Sequence, residues 1–391
     1  MKSRTDWYFA IFVASFIFCC LLLTIEQEVA WYDSAETVVA ALRLDIPHQP
    51  GYPIYTLLAA LWLRVIPFGS LAARLSLLAA LCTSLAAFFI FVSLRNEKIV
   101  SSNLSATLAA VLLGFAPIVW NSSIVCEVYT FELLLLSMAF WALTAKNKIA
   151  GPLLCGTALC HRTSALALAP ALLLYFGKDK CRVYLQETNA KQALSYLGLF
   201  FLPFLSYGYV YWRLGNPSLV IADPQTPKSL ATLFSYWSCA DYRHALFPFG
   251  FQEMLVRFKH LLWALGLQFP LVGFCFIALG YKAIAKRSEL LRALCYVIFI
   301  NCLFVAGYAA MEADTMMLPT IAAMAVLGAI GFDFLLADMK LPWARAVVIV
   351  LVIWTAGRGY YLIDGDRLLG SDRFMQQIAT LAPKGGHLLL S

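Results

Sequence analysis

From Trp7 to Ile363 the chain keeps returning to apolar runs about twenty residues long, the length a helix needs to cross a bilayer. Within hydrocarbon the backbone finds no water, so such runs fold as helices that satisfy their own N–H and C=O groups. Of the 391 residues, 62% are hydrophobic and 13% charged, against roughly 25% charged in a soluble chain. The expected class is an all-α integral membrane protein. Its candidate spans are 7–25, 75–94, 104–120, 127–145, 193–213, 257–281, 289–308, 315–336 and 343–363. Length alone leaves 51–66 and 149–176 ambiguous.

Charge resolves both. Lys2/Arg4, Arg95/Lys98, Lys146/Lys148, Lys178/Lys180/Arg182, Lys282/Lys286/Arg287 and Lys340/Arg345 are basic clusters that belong on the cytoplasmic side. If 51–66 crossed, the Arg95 loop would fall outside. Bounded by Pro53 and Pro67 and carrying Arg64, it reads instead as a helix lying in the outer interface. The segment 149–176 has basic flanks at both ends, so it crosses twice or re-enters, as two half-length helices meeting at His161-Arg162. Eleven spans follow, with the N-terminus inside and the C-terminus outside. Glu26, Glu28, Asp33, Glu36, Asp45, Glu127, Asp223, Asp241, Glu253, Glu312 and Asp314 then all face outward. So do the five histidines, His48, His161, His244, His260 and His387.

The same reading excludes several functions. The net charge of +7 is what cytoplasmic basic loops produce and calls for no nucleic acid. Eleven cysteines, mostly in apolar runs and without a C-x-x-C, make neither a disulfide framework nor a zinc site. There is no Walker A loop, no G-x-G-x-x-G after a strand and no H-E-x-x-H. Lys2 and Arg4 precede the first apolar run, and Glu26-Gln27-Glu28 follows it without a small-residue cleavage site, so an uncleaved signal-anchor is expected.

Two long outer segments stand out, 26–74 and 214–256; the rest of 1–363 is the membrane domain and 364–391 a short outer tail. The first outer segment carries Trp31 to Pro53, a dense run of ionisable and aromatic residues at a membrane surface, the default sign of a working site. Asp33 and Glu36 are three apart and share a helix face. Pro47-His48-Gln49-Pro50-Gly51-Tyr52-Pro53 is too proline-rich for a helix. The second outer segment holds Tyr236 to His244, aromatic enough to be packed and functional.

These pieces resemble the GT-C superfamily of membrane glycosyltransferases, in a branch that includes the vertebrate O-mannosyltransferase of plexin-type domains. The resemblance rests on Asp33-Ser34-Ala35-Glu36, on Pro47 to Pro53, on Pro67-Phe68-Gly69 with Arg74 to Leu78, on Glu127-Val128-Tyr129 and, more weakly, on His161-Arg162-Thr163. It covers about residues 1–180. It implies a GT-C bundle with two juxtamembrane helices, 33–44 and 51–66, and an acidic catalytic residue in the first outer loop. It also implies a polyprenyl-phosphate sugar as donor, mannose by resemblance, and a Ser/Thr hydroxyl of a secreted or membrane protein as acceptor. Beyond donor and membrane lipid it implies no certain cofactor. The membrane expected is the bacterial cytoplasmic one, with the site on its outer face.

Such transfer needs a base for the acceptor hydroxyl and positive charge for the leaving phosphate. Asp33 is the candidate base, although Asp33 and Glu36 also suit a capping box at the start of a helix. Glu36 either orients base or donor, or is that capping partner. His48 and Tyr52 are candidates for binding sugar or phosphate, with a polar plug in the proline-rich loop as the plain reading of His48. Glu127 and Tyr129 are expected at the substrate, or Glu127 is simply an acid favoured at a helix N-terminus. Arg162, with His161, lies at membrane depth, where a lipid phosphate is a fitting partner and an outer carboxylate such as Glu127 the alternative. Arg243 and His244 form a second phosphate candidate or a solvated loop face. Asp33, Glu36 and His48 could alternatively hold a divalent metal, but their spacing is not diagnostic and the metal reading is not favoured. The rival classes are transfer to a lipid or glycan, and a lipid or solute transporter using Arg162 and Glu132; no internal repeat supports a transporter.

Overall fold

The apolar runs become helices, and prolines decide where they bend. The computed structural model describes residues 4–30, 33–175, 189–284, 288–310, 313–336 and 341–367. The N-terminal half contains α1 (Arg4–Leu22), α2 (Ser34–Arg43), α3 (Pro53–Val65), α4 (Leu71–Asn96), α5 (Asn103–Gly114), α6 (Pro117–Ile124), α7 (Tyr129–Thr144) and α8 (Ala150–His161). A further apolar helix, α9, spans Ala165–Tyr175. The remainder comprises α10 (Ala190–Phe201), α11 (Tyr207–Arg213), α12 (Leu230–Trp237), α13 (Phe251–Gln268), α14 (Leu271–Ala283), α15 (Ser288–Gly307), α16 (Leu318–Leu336) and α17 (Leu341–Arg367). Among the described residues β-pairing is confined to one isolated bridge, Leu246 with Tyr308.

Every expected span is helical, and two are bent. The 104–120 run breaks at Ala116-Pro117 by 63°, and 257–281 breaks at Phe269-Pro270 by 104°. Proline removes a backbone donor and forces its predecessor out of the helical region, so each break lies where the sequence places one. Among the described residues five helices are by themselves long and apolar enough to cross a membrane, seven if each bent pair counts as one span. The 149–176 run is two short helices, α8 and α9, that meet at Arg162, an extended residue between them.

Helices α4 and α16 form the buried centre. α4 packs against α1, α3, α5, α6 and α7, while α16 packs against α5, α14 and α15. Helices α14 and α16 approach closely: a Cβ on Gly280 would sit 1.9 Å from the Leu327 carbonyl oxygen, and one on Gly331 1.9 Å from that of Phe276. Small residues here let two backbones touch, which is how helices associate when lipid removes the hydrophobic drive.

The two ends of the bundle sort by charge. At one end Arg95 reaches Asp6 at 3.4 Å, while Asp333 of α16 accepts from Ser101 and Ser102 N–H and from Ser105 Oγ at the start of α5. At the other end Glu26 N–H donates to Ile124 O at 2.9 Å and Trp120 Nε1 donates to Thr24 Oγ1 at 2.7 Å. The Arg95 loop and the Asp33 region therefore lie at opposite ends, as the charge pattern requires. Lys178, Lys180, Arg182, Lys286, Arg287, Lys340, Glu312, His387 and the 368–391 tail lie outside the described residues.

At the Asp33 end the two long outer segments pack on one another. Buried Asp45 accepts backbone N–H groups from Ile46 and Val220, both at 2.7 Å, and from Ile221 at 3.4 Å. Tyr207 OH donates to Pro50 O at 2.9 Å and Tyr209 OH to Asp45 O at 2.6 Å. Ile46, Cys160, Tyr207, Val210, Leu214, Leu219 and Ala222 close a small apolar core beneath them.

Candidate active site

The site grows from two helices in the first outer segment and the turn between them. Helix α2 is amphipathic and ends at Leu44, whose left-handed conformation reverses the chain. The turn at His48 closes with Gly51 N–H donating to His48 O at 2.8 Å, and Gly51 takes φ +81°, a conformation glycine adopts without a Cβ penalty. Pro53 then starts α3 at a position where the missing N–H costs nothing. This path folds His48 back over the first turn of α2.

Asp33 and Glu36 are not used for capping. No side-chain cap hydrogen bond forms at Asp33. Glu36 instead turns toward the proline-rich turn: its Oε1 accepts His48 N–H at 2.5 Å and its Oε2 accepts His48 Nδ1–H at 2.6 Å. That bidentate grip fixes the imidazole and leaves Nε2 facing Tyr52 OH at 3.3 Å and Asp33 Oδ2 at 3.7 Å. Tyr52 and Tyr242 meet the ring edge-on at 5.4 and 5.9 Å. Asp33, about a third exposed, keeps an open side toward the surface.

Electrostatics follow the same layout. Burial pushes the Asp33 carboxyl above its ordinary range, opposed by the neighbouring His48 and reinforced by Glu36. Burial works against a charged His48, but its hydrogen bond to Glu36 and the charges of Glu36 and Asp33 outweigh it and raise its pKa. Burial also holds the Tyr242 hydroxyl up at about 12, with the two carboxylates adding to the shift.

A second group lies deeper, at the junction of α8 and α9. Arg162 Nη1 donates to Glu132 Oε2 at 2.8 Å, with both side chains nearly buried. The guanidinium carbon lies 5.0 Å from the Tyr129 ring centre, and Ser164 Oγ reaches Glu132 Oε1 at 3.5 Å. His161 donates Nε2–H to Val128 O at 3.3 Å, its ring wedged among Tyr52, Tyr55 and Phe131. Tyr52 therefore touches both groups. The Arg162 hollow, about 10 Å³, is lined in part by Leu168 and Pro319. Those two positions neighbour or line a larger apolar cavity of about 260 Å³ between α7, α8, α9, α15 and α16.

The remaining expected residues fall elsewhere. Glu127 is buried behind α2, where Ser34 Oγ approaches its Oε1 at 3.5 Å, so it braces the helix rather than joining Asp33. Arg243 and His244 are exposed, and Arg243 donates to Ser238 Oγ at 3.1 Å, so this pair is not brought to the cluster. Their neighbours are: Gln49 and Asp241 exchange two hydrogen bonds, at 2.8 and 3.0 Å, and Tyr242 closes on His48. Tyr308, hitched to the second outer segment through Ala309 N–H and Ala245 O, stands within electrostatic reach of Asp33 and Arg162. Tyr242 and Tyr308 were not singled out from the sequence; the aromatic density of 236–244 was the available signal for the first, and none pointed to the second.

Metal binding was weighed on the donor set. One ligand atom each from Asp33, Glu36 and His48 lie within 4.8 Å of one another. Both Glu36 oxygens, however, are taken by N–H groups of His48. That leaves His48 Nε2 and Asp33 Oδ2, 3.7 Å apart, as the donors that face one another across the gap.

Residues 33–183 match the family model described as the N-terminal domain of Protein O-mannosyl-transferase TMEM260. The mouse Protein O-mannosyl-transferase TMEM260 is 34% identical over 173 residues, 40% of this chain and 24% of the mouse protein. The Dictyostelium discoideum protein of the same name is 27% identical over 133 residues, 33% of this chain and 16% of that protein. The matched part thus spans a quarter or less of these relatives' length. Among solved structures, ArnT from Cupriavidus metallidurans bound to undecaprenyl phosphate superposes with TM-score 0.60 at 12% identity, over 89% of this chain and 63% of that one. The apo oligosaccharyltransferase of Archaeoglobus fulgidus gives TM-score 0.51 at 13% identity, over 93% and 56%. The chain is a multi-pass membrane protein that shares the fold of these solved structures, and its residues 33–183 are similar to the N-terminal domain of the TMEM260 proteins.

Proposed function

We propose that this protein is a glycosyltransferase that moves a sugar, mannose by its relatives' names, from a polyprenyl phosphate to a Ser/Thr hydroxyl of an extracytoplasmic protein. The observation that carries this is the pairing of an uncapped, raised-pKa carboxylate at the surface with a buried arginine one tyrosine away. Asp33 accepts the acceptor's proton as the hydroxyl oxygen attacks the sugar's anomeric carbon. The bond from that carbon to the phosphate oxygen breaks, and its electron pair stays on the phosphate. Arg162 meets that growing charge, which guanidinium suits through its planar fork of N–H donors. Glu36 holds His48, and His48 with Tyr52 and Tyr242 lines the space a sugar would fill.

The apolar cavity beside Arg162 is the natural place for the first isoprene units of the carrier. The oligosaccharyltransferase and ArnT likenesses support the membrane-carrier chemistry by fold; the relatives' names support mannose and a protein acceptor. The site would work on the outer face. The bacterial cytoplasmic membrane is proposed as its setting, although both named relatives are eukaryotic. The test is transfer of labelled sugar from a polyprenyl phosphomannose to a Ser/Thr-containing acceptor by the purified protein in lipid. Hydrolysis or transfer absent with this donor, while the protein binds it, would redirect the reading to another sugar.

A further inference from the structure

The Arg162–Glu132 pair poses a problem for any ligand of Arg162. The hollow at the guanidinium holds about 10 Å³, room for roughly one water. Glu132 already takes Nη1 at 2.8 Å and is itself held by Ser164. Both partners are more than nine-tenths buried, so solvent screens neither charge. Glu132 thus holds one of the guanidinium positions at which a phosphate oxygen would be received.

We propose that Glu132 is an exchangeable counter-ion that occupies the carrier phosphate's place on Arg162 and expels the spent carrier once the sugar has left. This rests on the carrier reading above. The charge arithmetic gives it direction. The donor is a phosphodiester with one negative charge. When the carbon–oxygen bond breaks and its electron pair stays on phosphate, the product becomes a monoester that carries up to two. Arg162 alone would hold the product more tightly than the donor and stall turnover. A carboxylate kept beside it makes the site close to neutral and repels the extra charge, so the site favours donor over product. Glu132 is a positioning residue in this sense: it acts on the phosphate through Arg162, not on the sugar.

The probes are undecaprenyl phosphate and its methyl diester, bound to the full-length protein in lipid nanodiscs. The wild-type protein should bind the diester at least as tightly as the monoester, despite the smaller charge. Glu132→Gln keeps the size and an acceptor for Arg162 but removes the charge, so the monoester should gain at least about tenfold more affinity than the diester. A wild-type preference of tenfold for the monoester, or an equal shift of both esters in Glu132→Gln, overturns the proposal while leaving the carrier reading intact. Should Glu132→Gln fail to fold, the wild-type comparison decides alone. If the wild-type protein binds neither ester, the carrier reading itself fails and this inference falls with it.

Discussion

The Asp33–Glu36–His48 cluster and the Arg162–Glu132 pair are built from the same chemistry, carboxylate against cation, yet their settings give them opposite characters. The first sits in a surface turn with an open side; its members are partly exposed and Asp33 meets His48 Nε2 at 3.7 Å. The second lies between half-helices, nearly dry, with its charges paired at 2.8 Å. Charges near water can be left uncommitted for proton chemistry, whereas buried ones must be paired or the fold suffers. The difference predicts that damage in the deep region shows first as lost stability, and damage in the surface cluster as lost turnover.

The largest expected effect is therefore that of Arg162→Ala, which strands Glu132 in a dry site and should cost about 3–5 kcal/mol of stability, read as a lowered unfolding midpoint in lipid. Unchanged stability would mean that Glu132 escapes to water and that the pair is not locked. Asp45→Ala tests the latch between the outer segments. It leaves N–H groups of Ile46, Val220 and Ile221 without their acceptor, which should cost about 1–3 kcal/mol and raise proteolysis near Val220. Glu36→Gln, in the surface cluster, should do the reverse. It loosens His48 and should lower turnover by about tenfold or more, with the unfolding midpoint nearly unmoved. A large loss of stability there would erase the contrast between the two regions.

The smallest effect is a shift of the pH profile. The folded-state pKa of Asp33 is raised, so the group is easier to protonate in the native protein than in the unfolded chain. Stability linked to it is present at low pH and is lost as pH rises through the raised value. The same sign holds for His48, whose contribution is complete below about 6.5 and fades as pH climbs through its higher folded value. A working base must be ionised, so the acid limb of the turnover profile should lie above the ordinary carboxylate value of about 3.9. An acid limb at or below that value would argue that another group takes the proton.

Much of this was legible in the chain. Proline placement and charge parity located α2, α3 and the break at His161-Arg162, and the ionisable density of 31–53 located the cluster. What stayed hidden was rotation and long-range register. Glu127 precedes α7 and Glu132 lies within its first turn, so sequence alone does not say which one meets Arg162; Glu127 is the partner the sequence suggests, and Glu132 takes the place. Arg243 and His244 carry the charge in the sequence, yet the turn at 240–245 ties Asp241 to Gln49 and sets Tyr242 against His48 instead. The bends at Pro117 and Pro270 carried their own signal, masked by the apolar runs around them.

The central claim is that Asp33 takes the acceptor's proton, and Asp33→Asn addresses it with one substitution. Asparagine keeps the size, caps a helix about as well as aspartate and removes a partly buried charge, so the fold should be as stable or slightly more so. Donor-sugar transfer by the purified variant in lipid, measured beside donor binding, should fall by about 10²-fold or more while binding stays near the wild-type level. Near-normal transfer by Asp33→Asn would contradict the claim and move the base to Glu36.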